Sequence, residues 1–319
     1  MNSAKVSVVI PTTGDRDSLK AAVRTALDQR DVEVEVVVVM NGTGDAPTFA
    51  DRRVRVIRSS PEDRGNGARR AGIAAARHPV LALLDDDDLW SPDKLASQLE
   101  FARALFGRGA DDNWLVSCAI TEIDAETGAR RVVPTTDPGR SPIPDIPAYL
   151  LQRSALHSAS PQFQSSTLVF PTALARREPW DPAVRLHQDW EWLLRLVQRQ
   201  GTPMACQYEP LSFRPVGMAD SLTTAPNWRG SIEWGRRYLP ALSARIRGDF
   251  FLTAPTDRAA RAGDLGGLVR CMAAAIRHGR PGPYALAYFG VSVARCVRVS
   301  LRRIASLNRR RSHQQGAQS

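Results

Sequence analysis

Apolar runs at residues 6–10, 32–40, 53–58 and 80–84 alternate with helical patterns, and this alternation constrains the fold more than any other feature. The first run is continuously apolar apart from Ser7, as in a strand covered on both faces. After Asp17, a plausible N-cap, the residues Leu19, Ala22, Val23, Ala26 and Leu27 recur at the spacing of one helical face. The run at 32–40 ends in the turn signal Asn41-Gly42. In the run at 53–58, Val54 and Ile57 are the interior candidates. An Ala-rich helix opened by glycine is expected at 65–77. Strand and helix units of this size imply a mostly parallel sheet covered by helices on both faces. Ligands on such sheets bind at the carboxyl ends of strands, here Asn41-Gly42 and Asp85–Asp88.

Further along, residues 94–106 read as a helix, 114–123 and 130–133 as strands, and 166–170 as another strand. The Pro- and Ser-rich stretch 134–165 is expected to be a mobile loop or lid. A helix at 187–200 carries Trp190, Leu193, Leu194 and Val197 on one side, and from about residue 249 the pattern is helical only. The polar residues 312–319 read as a disordered tail. The 319 residues suffice for one α/β domain of roughly 200–250 residues with a smaller unit attached. The expected boundaries are 1–248 and 249–319, the first divided into halves at about 1–110 and 111–248.

Residues 1–5 lead into an apolar run too short for a signal sequence and ended by Pro11, and no uncharged apolar stretch is long enough to span a bilayer. Cys118, Cys206, Cys271 and Cys296 lack metal-ligand spacing and read as buried or incidental thiols in a reducing cytoplasm, in preference to a disulfide pair. The net charge is +10 and its distribution says more than its size. From Arg295 onward come Arg298, Arg302, Arg303, Arg309, Arg310 and Arg311 with no acid among them. Such a run attracts phosphate-bearing surfaces. The preceding residues 284–297 fit either a helix lying on an anionic membrane or one packed on the rest of the chain.

Four consecutive aspartates, Asp85 to Asp88, follow a core strand. Like charges so close raise one another's pKa unless a cation neutralises them. Mg²⁺ and Mn²⁺ take oxygen ligands, often one or two carboxylates plus substrate phosphates. The blander alternative is a solvated acidic turn before a helix. Gly65-Asn66-Gly67 is a weak dinucleotide fingerprint, because it follows the third strand and Arg70 stands where a third glycine would be. Close backbone approach at the start of a helix explains it as well, with Arg69 and Arg70 on the first turns. In His187-Gln188-Asp189-Trp190-Glu191-Trp192, Asp189 reads equally as a helix N-cap or as a base beside an aromatic platform.

Together these segments resemble the inverting glycosyltransferases of family 2, with their GT-A fold. The resemblance runs over about residues 5–222. It rests on Val6-Ser-Val-Val-Ile-Pro-Thr12, on Gly65-Asn-Gly-Ala-Arg-Arg-Ala-Gly-Ile73, on Leu84-Asp-Asp-Asp-Asp-Leu-Trp90 and on Gln188-Asp-Trp-Glu-Trp-Leu-Leu-Arg195. It implies an α/β GT-A-type fold, a mostly parallel sheet flanked by helices, with a C-terminal helical extension. It implies a Mg²⁺ or Mn²⁺ cofactor held at Asp87, and Asp189 as catalytic base. Thr12, Asn41, Arg69, Asp85, Asp86 and Arg214 would meet the nucleotide-sugar, and Trp190 the acceptor. The partners implied are a nucleotide-sugar donor and a glycan or lipid-linked acceptor; the basic C-terminal segment, if it lies on an anionic membrane, would add peripheral contact at the cytoplasmic face.

The sequence departs from that family at Asn41, where many members carry an acid that meets the base, and at Gln188, where Glu is usual. Pro215-Val216 stands where relatives often have a histidine. The Gln-x-x-Arg-Trp signature of processive synthases is absent, which favours transfer of one sugar. A metal-dependent nucleotidyltransferase shares the carboxylates but has less use for Asp189-Trp190. An aspartate-nucleophile phosphatase would need an acid where Pro11-Thr12-Thr13 stands. A nucleic-acid-binding protein leaves the aspartates unexplained, and no nucleic-acid partner is expected.

Overall fold

The computed structural model describes residues 3–107, 112–155, 163–217 and 227–316, of which 302–316 are described as backbone only. The chain forms two compact units, Met1–Ile146 with Ala159–Met218, and Pro147–Ser158 with Ala219–Ser319. The helical unit therefore begins before residue 249, because helices from Trp228 onward already belong to it.

The first unit is built on a nine-stranded mixed sheet. Its N-terminal half is parallel: β1 (Ala4–Thr12) lies between β2 (Val32–Met40) and β4 (Val80–Leu83), and β3 (Val54–Arg58) flanks β2. The sheet continues antiparallel through β8 (Val169–Pro171) to β6 (Leu115–Asp124), and then in parallel to β9 (Met204–Val216). At the far side β5 (Leu89–Trp90) pairs with β9, and β7 (Arg130–Val133) pairs with β6. Helices α1 (Asp17–Leu27), α2 (Arg64–Ala75) and α3 (Lys94–Phe106) follow the strands, as the alternation predicts. Val6, Val8 and Ile10 of β1, Val34, Val36 and Val38 of β2, and Leu19, Ala22 and Val23 of α1 share one core, with Val54 and Val56 packed against it. The inward pair of β3 is thus Val54 and Val56, and Ile57 faces the other way, since side chains alternate along a strand.

Polar insertions in the strands have specific partners. Ser7 Oγ donates to Glu35 Oε1 at 2.6 Å, and the Arg77 and His78 amides complete the cluster. Burial pushes Glu35 up, but the bonds from Ser7 and Arg77 and the nearby Arg55 outweigh it and hold it below its ordinary value. Gly72 sits where α2 crosses the sheet. A Cβ there would lie 2.4 Å from Val9 Cγ1 and 2.9 Å from Val39 Cγ2.

Several expectations are corrected. The strand expected at 166–170 is a 3₁₀ turn at Ser165–Thr167 followed by β8, because Ser165, Ser166 and Thr167 turn their polar groups inward as anchors. The loop expected at 134–165 contains α4 (Ile146–Leu151), and its residues 156–162 lie outside the described ones. From Pro147 on, α4 belongs to the second unit, and the first is completed by α5 (Thr172–Arg177) and α6 (Gln188–Gln200).

The second unit holds α7 (Trp228–Tyr238), α8 (Ala244–Phe251), α9 (Ala254–Ala262), α10 (Leu265–His278) and α11 (Pro283–Gly316). Asn227, Ser243 and Asp264 cap α7, α8 and α10 through side-chain oxygens, as residues with short polar side chains do. Trp228, Ala259, Ala260, Leu268, Cys271 and Cys296 form its core. The fully buried Asp249 is satisfied by Arg245 Nε and by the Arg153 and Gly282 amides. Helix α11 continues to Gly316, through most of the tail expected to be disordered, while 317–319 lie outside the described residues. All four cysteines are buried and no disulfide joins them.

Candidate active site

The register of the parallel strands assembles the site. Thr12 pairs with Met40, the Asn41 amide donates to Thr12 O at 2.9 Å, and the Leu84 amide donates to Val9 O at 3.1 Å. The carboxyl ends of β1, β2 and β4 therefore lie along one edge, which brings Thr12, Asn41 and the four aspartates together. Thr12 Oγ1 donates to Asp86 Oδ2 at 2.6 Å. Asn41 is buried, and its Oδ1 has no hydrogen-bond partner. A buried amide oxygen left unpaired is costly, so it points to a ligand donor that would satisfy it. Gly42 gives the backbone its close pass, since a Cβ there would lie 2.0 Å from Thr13 O.

The aspartate turn is pinned on both sides. The Asp85 amide donates to Ser166 Oγ, and Trp90 Nε1 donates to Ser166 O at 2.8 Å. Leu89 and Trp90 pair with Phe213 and Ser212 of β9. Asp85 is ion-paired with Arg69, Nη2 to Oδ1 at 2.7 Å. The other three carboxyls are each pushed above the ordinary range. Burial is the main cause for Asp86, to which Asp85 adds repulsion. Burial again leads for Asp87, with Asp85 and Asp86 adding to it. Asp88 is only 2% exposed and pushed well up by burial and by Asp85, and its Oδ1 has no partner. Arg214 is the cation that opposes these shifts at Asp87 and Asp88. It is held by Gln164 and by Glu122, whose carboxylate also takes Arg131.

Among the described residues, no three His, Cys, Asp or Glu side chains converge as a preformed metal cage. The donor set instead fits a hard divalent ion that takes one or two carboxylates and completes its shell with substrate phosphate and water. The unpartnered oxygen of Asp88 and the raised carboxyls around it are what such a cation would relieve.

Asp189 lies in the first turn of α6, inside the helix and not at its N-cap. That cap is His187, in the left-handed region at φ 52°. Asp189 Oδ1 accepts from Ser165 Oγ at 2.9 Å, and Oδ2 accepts from the Ser165 amide at 3.3 Å. Burial raises its pKa, Arg69 pulls it back down, and Asp85 raises it again. Arg69 is the hub between the two acidic centres. It bonds Asp85, reaches Gln188 Oε1 at 3.1 Å, and stacks over the Trp180 ring at 5.2 Å. Gln188, in the place of the usual glutamate, thus serves as an acceptor for Arg69. Gly65 permits this arrangement, because its Cβ position is 3.3 Å from Arg69 Nη1.

Glu191, the other carboxylate in the segment, is buried and spoken for. Arg195 binds it through Nε at 2.8 Å and Nη2 at 3.1 Å, and the same guanidinium holds Glu178. Two residues apart on a helix, the two side chains point about 200° away from each other. Trp190 is half-buried with its ring parallel to His187 at 4.8 Å. Sequence reasoning missed Ser165 and Ser166, which position Asp189 and Asp85, and Glu122 and Gln164, which hold Arg214. The run Ser165-Ser166-Thr167 beside an apolar strand was the available signal.

Known proteins are similar to this chain in sequence and in fold. The family described as "Glycosyl transferase family 2" matches residues 7–128, which contain Thr12, Asn41, Arg69 and the aspartates but not Asp189 or Arg214. The succinoglycan biosynthesis protein ExoO of Rhizobium meliloti is 29% identical over 212 residues, 64% of this chain and 58% of its own length. The putative teichuronic acid biosynthesis glycosyltransferase TuaG of Bacillus subtilis is 33% identical over 103 residues, 30% of this chain and 41% of its own. The chain thus spans less than two thirds of the length of these relatives. Among solved structures, TarS 1–349 of S. aureus in complex with UDP-GlcNAc superposes with a TM-score of 0.55 at 11% identity, covering 92% of this chain and 89% of that one. That likeness supports a fold of GT-A type, a mixed, mostly parallel sheet flanked by helices with a helical region after it. With the motifs lying in register along one sheet edge, residues 7–128 are similar to glycosyl transferase family 2.

Proposed function

We propose that this chain moves a single sugar, with inversion, from a nucleotide-sugar donor to an acceptor hydroxyl. The observation that carries the reading is Asp189, a carboxylate positioned by Ser165, facing the Arg69–Asp85 pair and separate from the structural Glu191–Arg195 pair. Thr12, Asn41, Asp85 and Asp86 line the edge where the nucleoside would sit, and the unpaired Asn41 oxygen offers an acceptor to its donor groups. A Mg²⁺ or Mn²⁺ ion held by Asp87, with Asp88 beside it, would neutralise charge on the donor diphosphate. Arg214 would supply further positive charge to that leaving group. Asp189 takes the proton of the acceptor hydroxyl as the oxygen attacks the anomeric carbon from the face opposite the nucleotide. Trp190 would border the acceptor. In this reading residues of about 1–110 serve the donor and 111–248 the acceptor.

A lipid-linked acceptor at the cytoplasmic face of a membrane fits this account. A relative from Escherichia coli, WfaP, 27% identical over 101 residues, is named for a glucosyl transfer to a diphosphoundecaprenol-linked sugar. Helix α11 exposes Tyr284, Leu286 and Val291 ahead of its arginines, while Phe289 and Val293 pack inward. No helix among the described residues is long and apolar enough to cross a membrane. The test is a screen of nucleotide-sugars for slow hydrolysis with and without EDTA, which needs no acceptor. Hydrolysis of one donor that stops on chelation is expected. No turnover of any donor, or turnover indifferent to EDTA, removes the metal-dependent reading.

A further inference from the structure

Within the helical unit, the ends of three helices meet around a cleft of about 540 Å³. Arg236 comes from the last turn of α7, Arg247 from α8, Arg277 and His278 from the last turn of α10, and Arg280 from the turn that follows. Among the described residues, no carboxylate lines it. The walls are drawn together by bare backbone. A Cβ on Gly279 would lie 2.2 Å from Gly248 N, and the Arg280 amide donates to Ala244 O at 2.7 Å. Arg247 fixes the arrangement, donating through Nε to His278 O at 2.6 Å and through Nη1 to Pro240 O at 3.0 Å.

Basic residues in the last turn of a helix ordinarily complement its dipole, and that explanation has a magnitude. Each helix C-terminus carries about half a negative charge. The ends of α7 and α10 together offset roughly one positive charge, whereas four arginines line the cleft. Among the described residues, the ion pairs of this unit lie elsewhere, in Arg245–Asp249, Arg261–Asp257 and Arg295–Asp257. Asp264 accepts from Trp228 and caps α10, and Glu233 is exposed one turn before Arg236 without an ion pair among the described residues. Arg236, Arg277 and Arg280 are themselves exposed and free to turn toward a ligand. The imidazole of His278, 5.8 Å from the Phe251 ring, reports the surplus: burial first, then Arg236, Arg277 and Arg247, push its pKa down.

We propose that this cleft is a binding site for a phosphate-bearing anion, with Arg236, Arg277 and Arg280 as its ligands and Arg247 as a fixed wall. Arginine forks match phosphate oxygens in paired, charge-assisted hydrogen bonds. The volume greatly exceeds the roughly 30 Å³ share of one water, so a diphosphate or a phosphodiester headgroup fits better than a lone phosphate. The inference does not depend on the transferase reading, since the catalytic carboxylates belong to the other unit.

The test uses the full chain in EDTA, with the His278 ring resonances assigned by their loss in His278→Asn. Titration with inorganic pyrophosphate should move those resonances and raise the His278 pKa, because a bound anion cancels the arginine field. His187, in the other unit, should stay put. The triple variant Arg236→Gln, Arg277→Gln, Arg280→Gln should lose pyrophosphate affinity by at least about tenfold. Its circular dichroism should match wild type, as none of the three residues is buried. An unmoved His278, or an equal response in the triple variant, overturns the proposal. Two further arms identify the source. Pelleting with phosphatidylcholine–phosphatidylglycerol vesicles but not with pure phosphatidylcholine, weakened by both pyrophosphate and the triple substitution, assigns the site to a lipid headgroup. A pyrophosphate response at His278 with vesicle binding unchanged in the triple variant assigns it to a soluble diphosphate.

Discussion

Replacing Arg69 by methionine should shift the acid limb of the pH–rate profile upward without moving the alkaline side. Arg69 is buried, bonds Asp85 at 2.7 Å and Gln188 at 3.1 Å, and is the largest influence holding Asp189 ionised against its burial. An opposite charge within about 4–6 Å lowers a carboxyl by roughly 1–3 units. Asp189 is half-buried, so water screens the pair and the change on losing Arg69 lies at the low end of that range. The sign follows from the role: a base works only when ionised, so activity is present above its pKa and lost as pH falls through it. Wild type already has that pKa above the ordinary value of 3.8. Losing Arg69 moves it further toward neutrality, at a cost of about 1.4 kcal/mol per unit. Turnover at saturating donor should therefore fall much more near pH 5 than at pH 8. The assay is donor hydrolysis or transfer followed across pH, with Arg69→Lys as the variant that keeps the charge. An acid limb in Arg69→Met that coincides with wild type would refute the argument, whatever happened to the overall rate.

Other substitutions separate packing from chemistry. Glu191→Gln weakens a buried two-point pair but leaves Arg195 on Glu178, so a loss of about 1–3 kcal/mol in urea unfolding is expected with the acid limb in place. A loss of turnover as deep as that of a base variant would contradict this. Gly72→Ala drives a methyl into Val9 and Val39, and the overpacking cost of about 1–3 kcal/mol should exceed the helix-propensity gain of up to about 1 kcal/mol. An unchanged urea midpoint would mean that α2 can lift off the sheet more easily than its packing implies.

Legibility in the sequence followed local physics. β2 and α3 have the bounds their patterns give, because a Val-rich run and an apolar face at helical spacing are set by neighbours in sequence. The aspartate turn was visible for the same reason. Thirteen-residue β9 was not read as a strand, since Pro210, Pro215 and Glu209 break its alternation and its pairing with β6 carries register shifts at Cys118 to Ile120. Its consequence, Glu122 beside Arg214, was therefore hidden as well. Whether Asp189 or Glu191 faced the site was undecided by helical spacing alone. What separates them is long-range: Ser165 and Arg69 on one side, Arg195 and Glu178 on the other. No pattern in 188–195 encodes those partners.

The central claim is that Asp189 receives the acceptor proton, and Asp189→Asn tests it most directly. Asparagine keeps the size and an oxygen for Ser165 but cannot take a proton at that oxygen. With the donor and acceptor found by screening, kcat should fall by on the order of 10²–10⁴. Donor affinity, measured by titration calorimetry in the presence of metal, should stay within a few-fold of wild type. Turnover retained within a few-fold in Asp189→Asn would contradict the account and place the base elsewhere.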